Sequence, residues 1–208
     1  MNDYEVWEIA GHSLEYFDDT HQYLVDGIIV PSITQMLKFR FKNKYSSVAP
    51  STLKRASEKG TEVHRAIEEY CKSGKESDIK ELRNFKFLQK KYSFEVLENE
   101  VPVILFDSET GHPISAGRLD MVVELPSANG MNRNIGLADI KRTSVLDKDY
   151  LAYQLNLYRI AYRQSYGQET DFLRGIHLRE DTRKFVTIPI NEEMTWEFIK
   201  EYKETCNE

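Results

Sequence analysis

The chain has 208 residues, 40% of them hydrophobic, and a formal net charge of −6. That size suits one well-buried domain and is too short for two comfortable ones, and the wealth of Tyr and Phe excludes a disordered tail. The acidic balance argues against a nonspecific nucleic-acid coating protein, while leaving room for a local basic groove.

No apolar run approaches the ~18–20 residues of a membrane span, and the start MNDYEVWEIA lacks a basic-then-apolar signal pattern, so a soluble intracellular protein is expected. Cys71 and Cys206 lie far apart without C-x-x-C spacing. They indicate neither a disulfide framework nor a thiolate metal site.

In chain order, short strands are expected over 14–17, 21–25 and 28–30, the last two joined by Asp26-Gly27, a hairpin signal. Pro31 and Ser32 stop the strand and cap a short helix through Leu37. The run KFRFKNKY, Lys38 to Tyr45, then interleaves Lys38, Arg40, Lys42 and Lys44 with three aromatics. Basic side chains can track a phosphate backbone while aromatics stack on unpaired bases. With Lys54 and Arg55 close behind, this is the expected DNA-facing patch; the alternative is a surface loop whose aromatics tuck into the core.

Pro50-Ser51 opens a helix that Gly60 is expected to interrupt, with Thr61 capping a second one from Glu62 to about Lys72. Val63, Ala66, Ile67 and Tyr70 form an apolar stripe, with His64 and Glu68 one turn apart on an adjacent face. Residues 77–92 read as a charged amphipathic helix. Residues 95–106 read as a strand in which Pro102 points to an edge or a bulge.

Two further strands follow, around 117–125 and 135–141, linked by a turn-like segment rich in Gly, Asn and Ser. A helix over 149–166, ended by Gly167, precedes strands at 172–178 and 184–190 and a final helix capped by Asn191. This order suits an α/β fold with a mixed sheet and helices on both faces.

The most telling residues are Asp120, in AGRLD, and Asp139-Ile140-Lys141, in ADIKRT. Alternate strand residues share a face, so Asp139 and Lys141 are neighbours roughly 7 Å apart, and the hairpin sets Asp120 beside Asp139. Paired carboxylates repel unless a proton or cation sits between them, and Mg²⁺ is typically held by one or two carboxylates plus waters and phosphate oxygens. Lys141 would orient or help deprotonate a water attacking a phosphodiester and offset transition-state charge. On its own, D-x-K more often marks a cross-strand ion pair on a solvated face.

The motifs in order change that balance. KGTEVHRAIEEY looks like a G-x-x-x-H-x-x-x-E helix, AGRLD like a G-x-x-D strand, ADIKRT like (D/E)-x-K with Thr143 as a following hydroxyl, and YQLNLYRIAY like Q-x-x-x-Y. VDGIIVPSITQML also looks like the N-terminal entry of phage-encoded members. Together these resemble the PD-(D/E)XK nuclease superfamily, in its RecB-like, phage-type exonuclease branch. The proline that gives the motif its name is absent, since Leu119 precedes Asp120.

The resemblance implies a restriction-endonuclease-like αβββαβ core with a mixed central sheet of about four strands. One domain over 1–208 would carry an N-terminal β-hairpin and a C-terminal strand-strand-helix extension. It implies Mg²⁺ or Mn²⁺ held by His64, Asp120, Asp139 and the Ile140 carbonyl, with Asp120, Asp139, Lys141 and Gln154 catalytic. Glu68 or Glu100 would be an additional acidic ligand, and Tyr158 an additional site residue or a core aromatic.

The implied activity is a DNA exonuclease leaving a 5′-phosphate, acting in recombination or end processing in the cytoplasm of a bacterial or phage-infected cell. A homo-oligomer or a phage recombination protein is the further partner. A structure-selective endonuclease and a catalytically silent DNA-binding module are the competing readings. His12, His21, His112 and His177 fall outside the motifs and read as ordinary structural or surface residues.

Overall fold

The computed structural model describes residues 4–42, 44, 46, 48–127 and 132–206. Asn43 and Tyr45, in the basic-aromatic run, and part of the expected turn after Pro126 lie outside the described residues. No helix among the described residues is long and apolar enough to cross a membrane.

The first four strands, β1 (Tyr4–Ile9), β2 (His12–Phe17), β3 (Gln22–Val25) and β4 (Ile28–Val30), form an antiparallel meander. Sequence reading omits β1, whose Glu and exposed Val and Tyr residues carry little apolar signal. Asp26 and Gly27 turn β3 into β4 with φ of 50° and 76°. Positive φ at both turn residues is the type I′ geometry that Asp-Gly favours.

Helix α1 (Ile33–Arg40) starts from a capping box. Ser32 Oγ accepts from the Gln35 amide and Gln35 Oε1 accepts from the Ser32 amide. Helix α2 (Pro50–Ser73) runs unbroken through Gly60, contrary to the expected interruption. A mid-helix Gly costs about 1 kcal/mol, and burial of Val63, Ala66 and Ile67 on the same helix outweighs it. Thr61 therefore has no helix end to cap, and its hydroxyl donates back to the Ser57 carbonyl at 3.2 Å. Helix α3 (Lys80–Tyr92) begins three residues later than expected.

A second sheet holds β5 (Glu95–Phe106), β6 (Pro113–Pro126), β7 (Arg133–Lys141), β8 (Phe172–Arg179) and β9 (Thr182–Ile188) in that spatial order. Only the β7–β8 pair is parallel, and α4 (Lys148–Tyr166) makes that crossover. The sheet is thus mixed, with five strands rather than about four, because β9 pairs antiparallel along β8. Pro102 lies on edge strand β5, where a missing N–H is tolerated.

Helices cover both faces. Met36 of α1, Leu155 of α4 and Phe198 of α5 (Glu192–Cys206) share one core with Leu137 and Leu173, whereas Val63 of α2 and Phe85 of α3 share the opposite core with Ala138 and Ile176. Neighbours Leu137 and Ala138 therefore face opposite ways, as strand alternation requires. The N-terminal meander packs through Leu14 and Val25 on Ile104 and Ala116, at the β5–β6 end of the large sheet.

Candidate metal and catalytic centre

The strand geometry breaks where the site begins. Leu119 joins the α1–α4 core, yet Met121, two residues on, joins the α2–α3 core. Strict alternation would leave both on one face, so the pleat of β6 changes phase at Asp120. Irregularities of this kind re-aim side chains. The Ile140 amide on β7 then donates to the Asp120 side chain, Oδ2 at 2.7 Å. Across β5, the pairs Asn99↔Met121 and Val101↔Leu119 flank Glu100 and set it opposite Asp120. Glu100 holds φ of 50°, a left-handed conformation that is uncommon for a residue other than Gly, Asn or Asp.

These two distortions, with α2 above them, bring His64, Glu100 and Asp120 together: one potential ligand atom from each lies within 4.8 Å of the others. His64 Nε2 lies 3.2 Å from the Ile140 carbonyl, and its Nδ1 lies 3.6 Å from Asp120 Oδ2. If Nε2 carries the hydrogen given to that carbonyl, Nδ1 turns a lone pair toward a carboxylate. A proton or a cation resolves that opposition. Burial, then the charge of Asp120, pushes the Glu100 carboxyl up to about 7, against the opposing pull of Arg118 and His64. Arg118 lies 3.6 Å from Glu100, but it also pairs with Glu5 at 2.8 Å and stacks over the Tyr16 ring.

Asp139 and Lys141 form a second centre beside the first. The register Met121↔Ala138, continued by one residue, places Asp139 opposite Asp120. Asp139 is 2% exposed, and Lys141 Nζ approaches its Oδ2 at 2.7 Å. Burial, then Asp120, pushes Asp139 up, while Lys141 pulls it down. For Lys141 burial alone favours the neutral amine, but Asp139 and Asp120 outweigh it and raise its pKa. Lys141 is therefore an ammonium here. It can donate hydrogen bonds and offset charge, and it is poorly suited to take a proton.

From α4, Gln154 and Tyr158 reach the same cavity of about 390 Å³, which Glu100, Asp120, Asp139 and Lys141 also line. Gln154 Oε1 is buried without a hydrogen-bond partner among the described residues, so the cavity contains an unused acceptor. A Cβ on Gly117 would come within 3.1 Å of the Tyr158 ring and hydroxyl. The Gly of AGRLD and the Tyr of YQLNLYRIAY are thus one contact, and Tyr158 is both core aromatic and cavity wall.

The donor set fits a hard divalent cation. Two carboxylates, one imidazole and a nearby backbone carbonyl combine oxygen with a single nitrogen, a set that suits Mn²⁺ or Mg²⁺ completed by waters. Glu100, not Glu68, fills the third place. Glu68 instead pairs with Lys72 at 2.6 Å. Asp139 stands outside this cluster, held by Lys141.

The expected DNA-facing residues separate. Lys38 lines the cavity. Phe39 and Phe41 pack against the core and against Tyr202, Tyr150 and Tyr153, so they are not free to stack on bases. Arg40 pairs with Glu201 and stacks on Tyr153, Lys42 lies over Phe39, and Lys44 pairs with Asp147 at 3.0 Å. Lys54 and Arg55 are exposed on α2.

Sequence reading passed over Arg118, and it took His177 only as an ordinary structural or surface residue. Arg118 shares the parity of Asp120, which was the available signal. His177 is 3% exposed, pairs in register with Lys141, and its Nε2 lies 2.7 Å from the Thr143 carbonyl, fixing the segment after Lys141. That role needs the parallel partner of β7, which no local pattern reveals.

No family model and no curated protein matches this chain. Among solved structures, the crystal structure of SSO0001 is similar at 16% identity with a TM-score of 0.46, covering 85% of this chain and 76% of that one. A likeness that slight carries no argument about function.

Proposed function

We propose that this chain is a metal-dependent DNA exonuclease of the PD-(D/E)XK superfamily, with β5–β6–β7, α4 and β8 as its restriction-endonuclease-like core. The observation that carries this reading is the gathering of His64, Glu100 and Asp120 within 4.8 Å beside the buried Asp139–Lys141 pair. A solvated surface ion pair explains neither the burial of Asp139 nor the left-handed Glu100.

His64, Glu100, Asp120 and the Ile140 carbonyl would hold Mg²⁺ or Mn²⁺. When bound, the ion supplies Lewis acidity and a more acidic water. Lys141, charged and 22% exposed, lies where it can hydrogen-bond a phosphoryl oxygen and offset charge as the water oxygen bonds to phosphorus and the P–O3′ bond breaks. Gln154 offers its free acceptor to hydrogens of water or substrate entering the cavity. The products are a 5′-phosphate and a 3′-hydroxyl. The recombination role, a cytoplasmic setting and a homo-oligomeric or phage-protein partner belong to this proposal.

The test is purified protein with Mn²⁺ on linear single- and double-stranded DNA and on a closed circle. Linear DNA is expected to be degraded and the circle spared, with Asp120→Ala slower by on the order of 10³-fold. Cutting of the circle would replace this reading with an endonuclease on the same core. Intact DNA of every form would end the nuclease reading.

A further inference from the structure

We infer that a second groove, beyond Lys141 and separate from the catalytic cavity, is a single-strand nucleotide subsite that grips the DNA phosphate next to the one being cut. The inference rests on the nuclease reading above and extends it to Arg179 of β8, which no motif includes, and to Arg55 of α2.

The groove measures about 770 Å³, against about 390 Å³ for the catalytic cavity, and runs between the first half of α2 and the segment that follows β7. Its cations are Arg55 and Lys59 of α2, Arg142 just past β7 and Arg179 at the end of β8, and Glu58 and Glu62 of α2 line it as well, Glu62 pairing with Lys59 at 2.7 Å. Arg142 is committed, with Nε 2.7 Å from the buried Glu81 carboxylate. The side chains of Arg55 and Arg179, which line the groove, make no ion pair or hydrogen bond among the described residues. With Lys59 paired to Glu62 and Arg142 to Glu81, the two uncommitted guanidiniums outnumber the remaining carboxylate, Glu58, and leave the groove locally positive on a chain with net charge −6.

Thr143 also lines the groove, and its buried hydroxyl, Oγ1, has no hydrogen-bond partner among the described residues. Thr143 stands two residues past Lys141, at most about 7 Å of extended chain. The groove thus shares with Lys141 the chain segment that leaves β7. Its floor includes Leu53 and Ala56, an apolar surface suited to a sugar or a base rather than to a free inorganic ion. Guanidiniums bind phosphate in bidentate fashion, and a hydroxyl adds a further contact. His177 fixes the Thr143 carbonyl, so the groove wall is held in place by β8.

The experiment is fluorescence anisotropy of a short single-stranded oligonucleotide at several salt concentrations, with Ca²⁺ in place of Mn²⁺ to stop cleavage. It compares the unaltered protein, Arg55→Gln/Arg179→Gln, and Lys200→Gln as an equal-sign control on the remote surface of α5. The double variant is expected to lose about 0.7 of the log–log salt slope per arginine and at least tenfold in affinity at low salt, with an unchanged melting temperature. The control should keep both affinity and slope.

A double variant that binds with the unaltered affinity and slope overturns the groove while leaving the nuclease reading standing. An equal loss in the control also overturns it, since the effect would then be net charge alone. If the unaltered protein binds no DNA, the nuclease reading falls and the groove with it.

Discussion

Two acidic centres sit side by side at one end of the large sheet, and they are balanced differently. Asp139 has its own cation, Lys141 at 2.7 Å, and is itself almost fully buried. Asp120 and Glu100 share an imidazole and a distant, divided arginine, and their ligand atoms crowd within 4.8 Å. The first centre is electrostatically complete and the second is one cation short. A strand pair can hold a finished ion pair without distortion, whereas the unfinished cluster coincides with a phase change in β6 and a left-handed residue in β5. Such strain at a cluster of ligands is characteristic of functional sites.

The sharpest way to break the comparison is to remove the internal cation. Lys141→Ala is expected to slow DNA cleavage by on the order of 10³-fold while leaving Mn²⁺ affinity within a few-fold of the unaltered protein, as single-turnover rates and calorimetry would show. Equal loss of both would mean that the two centres are one. His64→Ala probes the other side. It should weaken Mn²⁺ binding at least roughly 10- to 100-fold with little change in fold.

Next comes pH. Glu100 titrates near 7 in the folded chain against 4.5 for the ordinary group, so the fold binds this proton more tightly than the unfolded chain does. The associated stability is complete below about pH 4.5 and is lost as pH rises through about 7; Asp139, raised from 3.8, acts in the same direction. Metal-free protein should therefore melt on the order of 5 °C lower at pH 8 than at pH 5, and Glu100→Gln should flatten most of that slope. A slope that survives the substitution would assign the strain elsewhere.

The smallest effect concerns the wall behind both centres. Gly117→Ala pushes on Tyr158 and should cost about 1–3 kcal/mol in chemical denaturation, with a lesser loss of cleavage. An unchanged midpoint would show that Tyr158 is not seated by Gly117.

Much of this was legible in the chain. Asp120, Asp139 and Lys141 were readable because strand parity and a hairpin are local, and Gln154 only through the resemblance of YQLNLYRIAY to a Q-x-x-x-Y helix motif. The capping box at Ser32 and the Asp26-Gly27 turn were legible for the same reason. The choice of Glu100 over Glu68 was not, since it depends on a left-handed strand residue and on the β5–β6 register, both set by tertiary packing. Gly60 misled because its helical penalty is small beside the burial of Val63 and Ile67. Phe39 and Phe41 of KFRFKNKY resolved toward the core only once α4 and α5 supplied Tyr150, Tyr153 and Tyr202.

The central claim, that His64, Glu100 and Asp120 are short of one divalent cation, is tested most directly by calorimetric titration of Mn²⁺ into the unaltered protein and Asp120→Ala. The account predicts one tight site per chain in the first, accompanied by proton release near pH 7, and none in the second. No binding to the unaltered chain, or equal binding to both, would contradict it.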